Sequence, residues 1–527
     1  MSEEHGRSLT DWLGITNAPN WSLARPLGRV AGAILVVAVP LLFFGALLAA
    51  GFVLYHTVSL VIHGSKEGIS LGVGALVAAL LGAPFLIWGT VLKHQTVMFQ
   101  KEGHMTDRIN KAVEQLGAEK KVDRIGRVLR LYRGNSAEGQ YEKAPPASVL
   151  IAESKPKASV GSLVVEKTNS TYRVYEREEV VIEWKDTPFP LEAQDYVADS
   201  GGWQVLSETV PSIEVRIGAI LSLERIAQDS TRHDKGRDHV RVMEILCAYI
   251  RENSNATSPQ DHPFGEWKPL RRDANEGQVE QHIKRCFERF GNVTGGGKIS
   301  AWALTLPKPR ADVSLALKVL GRRTETQRRI EAAWPNYTES GAIWPFDVPP
   351  PKLLHNDKAK IAPRNVVEFE REINEWKKNL YRYRGYRLDL RGANLQNADF
   401  SSQREDGAEA IFSGARFENA RLEGARMDNV RLEGALLINS RLDAANLREA
   451  RLSGAALLAA HLEGTNLFQA EMLGTTLIRA RMENSDLRNC NFDGAYCDEA
   501  RLEWSSIDGA TFELVEFHRM RTVPSRP

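Results

Sequence analysis

The chain has 527 residues, of which 43% are hydrophobic and 26% charged, and its formal net charge is +1. This length is sufficient for two to four domains, and the near-neutral charge gives no reason to expect a nucleic-acid partner. The four cysteines form no CxxC pair. Their pattern excludes a disulfide framework and a cysteine zinc site and is typical of a reducing compartment.

Two apolar runs follow the polar N-terminal segment 1–29. Residues 30–64 and 68–92 contain no Asp, Glu, Lys or Arg, and each run exceeds the roughly 20 residues that cross a bilayer. We therefore predict a hairpin of two membrane spans in contact with a lipid bilayer. Basic residues are more frequent on the outer flanks than in the link, where Lys66 stands alone. The positive-inside rule then places both termini in the cytoplasm.

Small residues lie four apart in the second run, at Gly74, Ala78 and Gly82. Such a stripe allows another helix to approach closely, either the first span or a second copy of the protein. Neither run has a charged residue inside, which argues against transport.

Residues 93–332 are predicted to form a mainly helical domain that includes a β insert at about 118–211. Apolar residues at helical spacing indicate one helix from Pro211 to about Asp229 and a second around residues 240–250. Within the insert, short runs rich in β-branched and aromatic residues predict strands at 163–165, 172–175 and 180–184.

Two motifs in this region suggest chemistry but are better explained by structure. The run Gly295 to Lys298 lacks the earlier glycine and the following Ser or Thr of a phosphate-binding loop, and we predict no helix after it. Two histidines and two acids lie near a helix start without an evident third ligand for a metal, at His233, Asp234, Asp238 and His239. We expect helix capping and solvated charge there, and neither catalysis, a cofactor nor a metal. An unrecognised activity in residues 118–345 is the alternative.

Residues 333–364 are rich in proline and are predicted to be a linker. Residues 365–384 then carry an apolar stripe at helical spacing, formed by Val366, Phe369, Ile373, Trp376 and Leu380. Because this helix ends just before the repeats that follow, we predict that it caps their open end, where an uncovered edge would promote aggregation. A basic tail, 518–527, closes the chain.

Residues 388–517 place an apolar residue at every fifth position. The register is unbroken for 22 fives from Phe412 to Phe517, and a small residue stands two places before each apolar one, from Ala410 to Val515. Neither 3.6 nor 2.0 divides five evenly, so an ordinary helix or strand would scatter these residues over all faces. A fixed short period indicates a repeat solenoid.

The fives resemble the pentapeptide-repeat family, whose unit is roughly A-(D/N)-L-x-x. The closest copies begin at Ala393, Ala398 and Ala445. The resemblance implies a right-handed four-sided β-helix of twenty residues per coil, with the central and the small residue inward. The twelve-residue step from Phe400 to Phe412 suggests two extra residues in a loop at 401–409, which is either a spacer or a partner contact.

Stretches before the repeats are similar to those of bacterial membrane-anchored pentapeptide-repeat proteins. They are residues 106–117, 214–230, 237–253 and 310–323. This resemblance implies a bacterial inner-membrane location rather than an activity.

Residues twenty apart should stack into columns along the solenoid. The basic column comprises Arg421, Arg441, His461, Arg481 and Arg501, and the acidic column comprises Glu423, Asp443, Glu463, Glu483 and Glu503. We predict an exposed ladder of ion pairs, each worth about 0–1 kcal/mol. A polyelectrolyte or partner site is the alternative.

A further set of outward positions is apolar and predicts a covered surface. The set comprises Leu436, Ile438, Leu458, Phe468, Leu473 and Ile478. The helical domain of the same chain, a second copy or another protein could provide the cover.

These observations favour a membrane-tethered scaffold that binds a protein partner or a second copy of itself. The resemblance also includes soluble relatives that mimic DNA and bind a type II topoisomerase, giving quinolone resistance. Residues 388–517 contain 22 Asp or Glu, 13 Arg and no Lys, a net charge of −9 that suits such mimicry. The basic column and the predicted spans do not.

Overall fold

The computed structural model of the protein forms two compact units, Met1–Asp107 and Arg108–Pro527. The structure describes residue 93, scattered residues between 44 and 63, and residues 105–133, 137–140, 165–168, 171–174, 177–191, 195–233, 236–254, 259–265, 267–268, 270, 274–291, 297–335, 342–353, 363–401 and 409–515.

In the first unit, the residues described between 44 and 62 are helical. In the part of the chain that the structure describes, no helix is both long and apolar enough to cross a bilayer. The predicted second span at 68–92, with Gly74, Ala78 and Gly82, lies wholly outside the described residues, and so does most of the first span at 30–64. The predicted basic tail also lies outside them.

The second unit begins within a helix, α1 (105–116), which is followed by a β region. The strands are β1 (Glu119–Arg133), β2 (Ala137–Gln140), β3 (Val165–Thr168), β4 (Thr171–Val174), β5 (Arg177–Trp184), β6 (Tyr196–Ser200) and β7 (Gln204–Pro211). Long β1 pairs with β5 along one edge and with β7 and β6 along the other, all antiparallel. Strands β2, β4 and β3 form a second sheet. The sequence prediction missed β1, β2, β6 and β7.

Helices follow the β region and surround the repeats. They are α2 (Ile213–His233), α3 (His239–Ser254), α4 (Glu276–Phe290), α5 (Gly297–Thr305), α6 (Ala311–Gly321), α7 (Glu325–Ala333) and α8 (Pro363–Arg382), with a short 3-10 turn at Pro345–Asp347. Helices α2, α3, α6 and α7 pack on one another. The apolar stripe predicted on α3 is buried, including Val240, Met243, Cys247 and Ile250.

Two expectations about the helical region were wrong. A helix does begin at Gly297, within the glycine-rich run. His239 is fully buried rather than solvated, because its Nε2 lies 2.9 Å from Glu331 Oε1 while Arg323 Nη1 donates to Glu331 Oε2 at 2.7 Å. This buried network joins α3, α6 and α7. Among the described residues there is no group of three or more potential ligands that could hold a metal.

The repeats form a solenoid, in which parallel bridges link residues twenty apart, such as Arg421 and Arg441. Central and small residues are buried along the core up to Leu502. The first coil pairs Asp389 with Arg416, a separation of 27 residues rather than twenty. The loop after Phe400 therefore adds seven residues, not two, and most of it, 402–408, lies outside the described residues.

The helical bundle, not α8, closes the first coil of the solenoid. Ile411 N donates to Gly321 O at the end of α6 (2.8 Å), and Asn394 N donates to Ser254 Oγ at the end of α3 (3.2 Å). Helix α8 instead lies along the side of the rod, which corrects the predicted capping role of residues 365–384. The apolar stripe of α8 packs on a line of glycines there. The end of a coil would instead present polar backbone groups to this stripe.

Candidate functional site

The solenoid has four faces, each named by its central residues. Face A has Phe412, Leu432, Leu452, Met472 and Phe492; face B has Phe417, Leu437, Leu457, Leu477 and Cys497; face C has Leu422, Leu442, Leu462, Met482 and Leu502; face D has Met427, Leu447, Leu467, Leu487 and Ile507. The residue before and the residue after each centre point outward. The next position turns the corner to the following face.

The corner between faces A and B is covered by α8. It consists of a glycine column, Gly414, Gly434, Gly454, Gly474 and Gly494. A Cβ atom at Gly454 would lie 2.7 Å from Leu380 Cδ1, and one at Gly414 would lie 2.4 Å from Phe346 Cε2. Leu473 of the predicted apolar set joins this buried cluster with Trp344, Phe369, Ile373 and Trp376. The predicted linker therefore contributes core residues at its centre.

Face C carries the charged columns, and the expected exposed ladder is wrong. All five residues of the acidic column are buried, with exposed fractions of 3% or less. The cover consists of α4 and the segment 259–268. Arg289 of α4 donates from Nε and Nη2 to Glu463 Oε2 at 3.0 and 2.5 Å, and Trp267 Nε1 donates to Glu503 Oε2 at 3.1 Å.

The basic column holds the other side of this cover. Asp261 lies 3.1 Å from Arg421 and 3.4 Å from Arg441. Arg421 Nε also donates to Glu423 Oε1 at 2.6 Å, and Arg481 Nη2 lies 3.0 Å from Glu463 Oε1. The two columns are thus paired with each other and with the covering segment, so they bind within the chain.

Burial leaves this ladder with too few partners to keep every carboxylate ionised. Burial raises the pKa of Glu483 to about 8, with a further rise from the charge of Glu463. Among the described residues, neither carboxylate oxygen of Glu483 has a hydrogen-bond partner, and Arg501 Nη1, with which Glu483 forms an ion pair, is 3.9 Å away. Burial likewise raises the pKa of Glu423 to about 7 and lowers the pKa of His262, in the cover, to about 3. Each of these shifts favours the uncharged form of the buried group, which is a protonated carboxyl at Glu423 and Glu483 and a neutral imidazole at His262.

The remaining residues of the predicted apolar set lie on two different faces. Leu436, Ile438, Leu458 and Ile478 are half-buried on face B. At the edge of that face, the Lys377 ammonium of α8 lies 4.0 Å from the Tyr496 ring centroid. The other two members of the set lie on other faces, Leu473 on face A and Phe468 on face D.

Phe468 lies on face D between two arginines. The guanidinium carbons of Arg448 and Arg488 are 5.3 and 5.4 Å from its ring centroid, one coil before and one coil after it. About half of each arginine side chain is exposed. Arg488 donates to both oxygens of Asp486, at 2.8 and 2.6 Å, and Arg448 donates to Glu449 at 2.9 Å. The result is a fixed cation–π stack on the rod, in which exposed arginines flank a half-buried ring.

Two of these features could have been predicted from the sequence. The glycine column repeats at a spacing of twenty and marks the contact with α8. Arg448, Phe468 and Arg488 share one column at the same spacing. The cover over face C left no comparable signal in the charged columns themselves.

Comparisons with known proteins agree with the solenoid. Five overlapping segments match the family of Pentapeptide repeats in eight copies, namely residues 408–439, 425–457, 445–484, 457–494 and 485–519. The chain thus carries C-terminal pentapeptide repeats, and the predicted quadrilateral β-helix is confirmed. No significant match was found among curated proteins.

Several solved structures of pentapeptide-repeat proteins are similar to this part of the chain. HetL, involved in heterocyst differentiation regulation in the cyanobacterium Nostoc sp. strain PCC 7120, is 22% identical over 24% of this chain and 84% of its own, with a TM-score of 0.16. Rfr23 from the cyanobacterium Cyanothece 51142 is 22% identical over 26% and 86%, with a TM-score of 0.14. QnrB1, a plasmid-mediated fluoroquinolone resistance protein, is 14% identical over 25% and 80%, with a TM-score of 0.12.

Proposed function

We propose that this protein is a non-catalytic interaction protein that binds a partner protein through face D of its solenoid. The observation that carries the proposal is the stack of Arg448, Phe468 and Arg488. Arginine and aromatic side chains are enriched among the residues that dominate binding energy at protein interfaces. The stack and the ion pairs already hold both guanidinium groups in place. The two arginine side chains would therefore lose less conformational entropy when a partner binds.

The distribution of covered faces supports the choice of face D. The chain's own helices occupy the corner between faces A and B, and the acidic and basic columns of face C are engaged in the α4 cover. The DNA-mimic alternative needs an accessible acidic rod, and burial of the acidic column removes five of its carboxylates. A rigid solenoid whose face D carries this stack of arginine and phenylalanine side chains can present an interaction surface to a partner.

Tethering to a membrane, with the solenoid in the cytoplasm, is the second half of this proposal. It is supported by the two uncharged runs at 30–64 and 68–92, each long enough to cross a bilayer. Deletion of residues 30–92 should move the protein from the membrane fraction, where alkaline carbonate does not extract it, to the supernatant. Equal extraction of the full-length and shortened chains would refute tethering without affecting the face D proposal.

Photo-crosslinking in intact cells tests the interaction. A photoreactive phenylalanine analogue at position 468 should capture a different protein, identified by mass spectrometry. The same analogue at position 473, which α8 covers, is the matched control and should link only within the chain. Arg448→Glu with Arg488→Glu should abolish the intermolecular product, whereas Arg479→Glu, on an exposed corner, should not. Products confined to one chain or to a second copy would refute the proposal.

A further inference from the structure

An arginine-lined cleft lies where the helical bundle meets the first coil. Its volume is about 400 Å³, and its walls come from α3, the end of α7, residues 384–389 and Arg416 on face B. The charged residues that line it are Arg251, Arg384, Arg387, Arg416, Glu244 and Asp389. The volume lies within the range of small-molecule sites, about 300–1,000 Å³.

Ion pairs with carboxylates engage two of the four arginines that line this cleft, Arg251 and Arg416. Asp389 is already shared between Arg251 (2.8 Å) and Arg391 (2.7 Å). Arg387 is mostly buried, yet its guanidinium donates to backbone carbonyls, Leu380 O at 3.1 Å and Gly414 O at 2.9 Å. Within the described part of the chain, neither Arg384 nor Arg387 forms an ion pair with a carboxylate.

Several positive charges lie close to one another in this cleft. Burial lowers the pKa of Arg387; among the nearby charged groups, Arg416 and Arg384 lower it further, whereas Tyr383 and Glu418 raise it. Arg416 donates to Glu418 Oε1 from Nη2 at 3.0 Å and from Nε at 3.1 Å. These bonds leave Nη1 of Arg416 for another acceptor. An anion placed among Arg384, Arg387 and Arg416 would relieve this repulsion.

The geometry points to a binding site for a phosphate monoester in this cleft, independent of the partner surface on face D. Arginine forks match the geometry of phosphate oxygens and form charge-assisted bonds with them. A phosphate monoester carries more charge than a single carboxylate and can accept from several guanidinium groups at once. Trp334 also lines the cleft and offers an apolar wall to the organic part of the ligand.

Calorimetric titration of the full-length protein tests this site. The soluble probes are inorganic phosphate and phenyl phosphate, and the lipid probe is phosphatidylcholine vesicles with and without phosphatidic acid. Because Arg384 is exposed, we expect the Arg384→Gln variant to fold. This variant should bind the probes about tenfold or more weakly, since it loses a charge-assisted contact. Arg384→Lys should have an intermediate effect because it keeps the charge but loses the fork. Arg479→Gln, an exposed arginine of the solenoid outside the cleft, is the control.

The outcomes separate the source of the ligand from the existence of the site. Saturable binding of phenyl phosphate that depends on Arg384 supports the site with a soluble ligand. Binding only to vesicles with phosphatidic acid, with the same dependence, supports it with a lipid headgroup. If neither probe binds, or if Arg479→Gln weakens binding as much as Arg384→Gln, the inference is overturned.

Discussion

Replacing Gly454 by alanine should loosen α8 from the side of the solenoid. Gly454 has a φ of +66°, and an added Cβ would lie 2.7 Å from Leu380 Cδ1 and 2.9 Å from Trp376 Cζ3. The Trp376 ring cannot simply turn away, because its Nε1 donates to Val348 O at 3.1 Å. The left-handed backbone costs alanine about 1–2 kcal/mol, and overpacking adds about 1–3 kcal/mol.

Gly392 supplies a matched control for this substitution. Its φ is +65°, and an added Cβ would lie within 4 Å of no atom of the described residues. Gly392→Ala therefore bears the backbone cost alone. The difference between the two variants isolates the contact with α8, and we expect it to be about 2 kcal/mol.

Amide hydrogen exchange of the full-length protein, read by mass spectrometry, measures the effect. A loss of about 2 kcal/mol should raise the opening equilibrium of residues 369–380 about thirtyfold. Gly392→Ala should leave exchange in this segment unchanged. Equal exchange in both variants would show that α8 does not depend on the glycine column, and the close contact described above would be wrong.

Two further predictions concern the buried interface on face C. The pKa of Glu483 is raised from an ordinary value of 4.5 to about 8 in the folded protein, so its contribution to stability is complete below pH 4.5 and is lost as the pH rises through about 8. Glu483→Gln should therefore flatten the fall of the urea midpoint between pH 5 and 8, whereas Glu471→Gln, at an exposed position on face A, should not; parallel curves for wild type and Glu483→Gln would contradict this reasoning. Arg289→Met leaves Glu463 buried with one cation fewer and should cost about 3–5 kcal/mol, seen as faster hydrogen exchange over residues 276–290. Arg285→Met, exposed on the same helix, is its control, and equal exchange in the two variants would show that the ion pair does not hold the cover in place.

The solenoid could be predicted because a spacing of five fixes which side chains point inward, whatever surrounds the rod. The partners of its outer faces could not be predicted in the same way. The stripe on α8 shows that Phe369 and Trp376 are buried, but an amphipathic pattern carries no information about the opposing surface. The length of the loop after Phe400 could not be predicted for a related reason. The twelve-residue step to Phe412 can contain two repeats and two extra residues, or one repeat and seven extra residues, and only the pairing of Asp389 with Arg416 decides between them.

The sequence predicts an exposed acidic column because charged residues are rarely buried unless they are paired, and within the solenoid the basic column already supplies the pairs. The additional cations come from elsewhere in the chain, from Arg289 of α4 above all. Distance along the sequence, 174 residues between Arg289 and Glu463, hides such a partner from any local pattern.

Columns of small residues are the more reliable guide to covered corners. The corner position accepts many residue types here, since Asn429, Glu449 and Gln469 all adopt a positive φ at the exposed corner between faces D and A. Glycine is therefore not required by the backbone, and its repetition between faces A and B must reflect the close approach of Phe346 and of α8. The corner between faces C and D obeys the same rule, because Gly424, where an added Cβ would lie 2.9 Å from Ala303 Cβ, is followed by Ala444 and Gly464.

The same corner shows where that close approach ends. Its last member is Trp504, whose ring lies 6.2 Å from the ring of Phe287 on α4. A side chain of this size fits only if the helical cover stands farther from the rod than it does at Gly424. The helical cover thus lies close to the rod near the first coils and farther from it near the last. The residues at this corner follow that change in distance, in the order Gly424, Ala444, Gly464, Asn484 and Trp504.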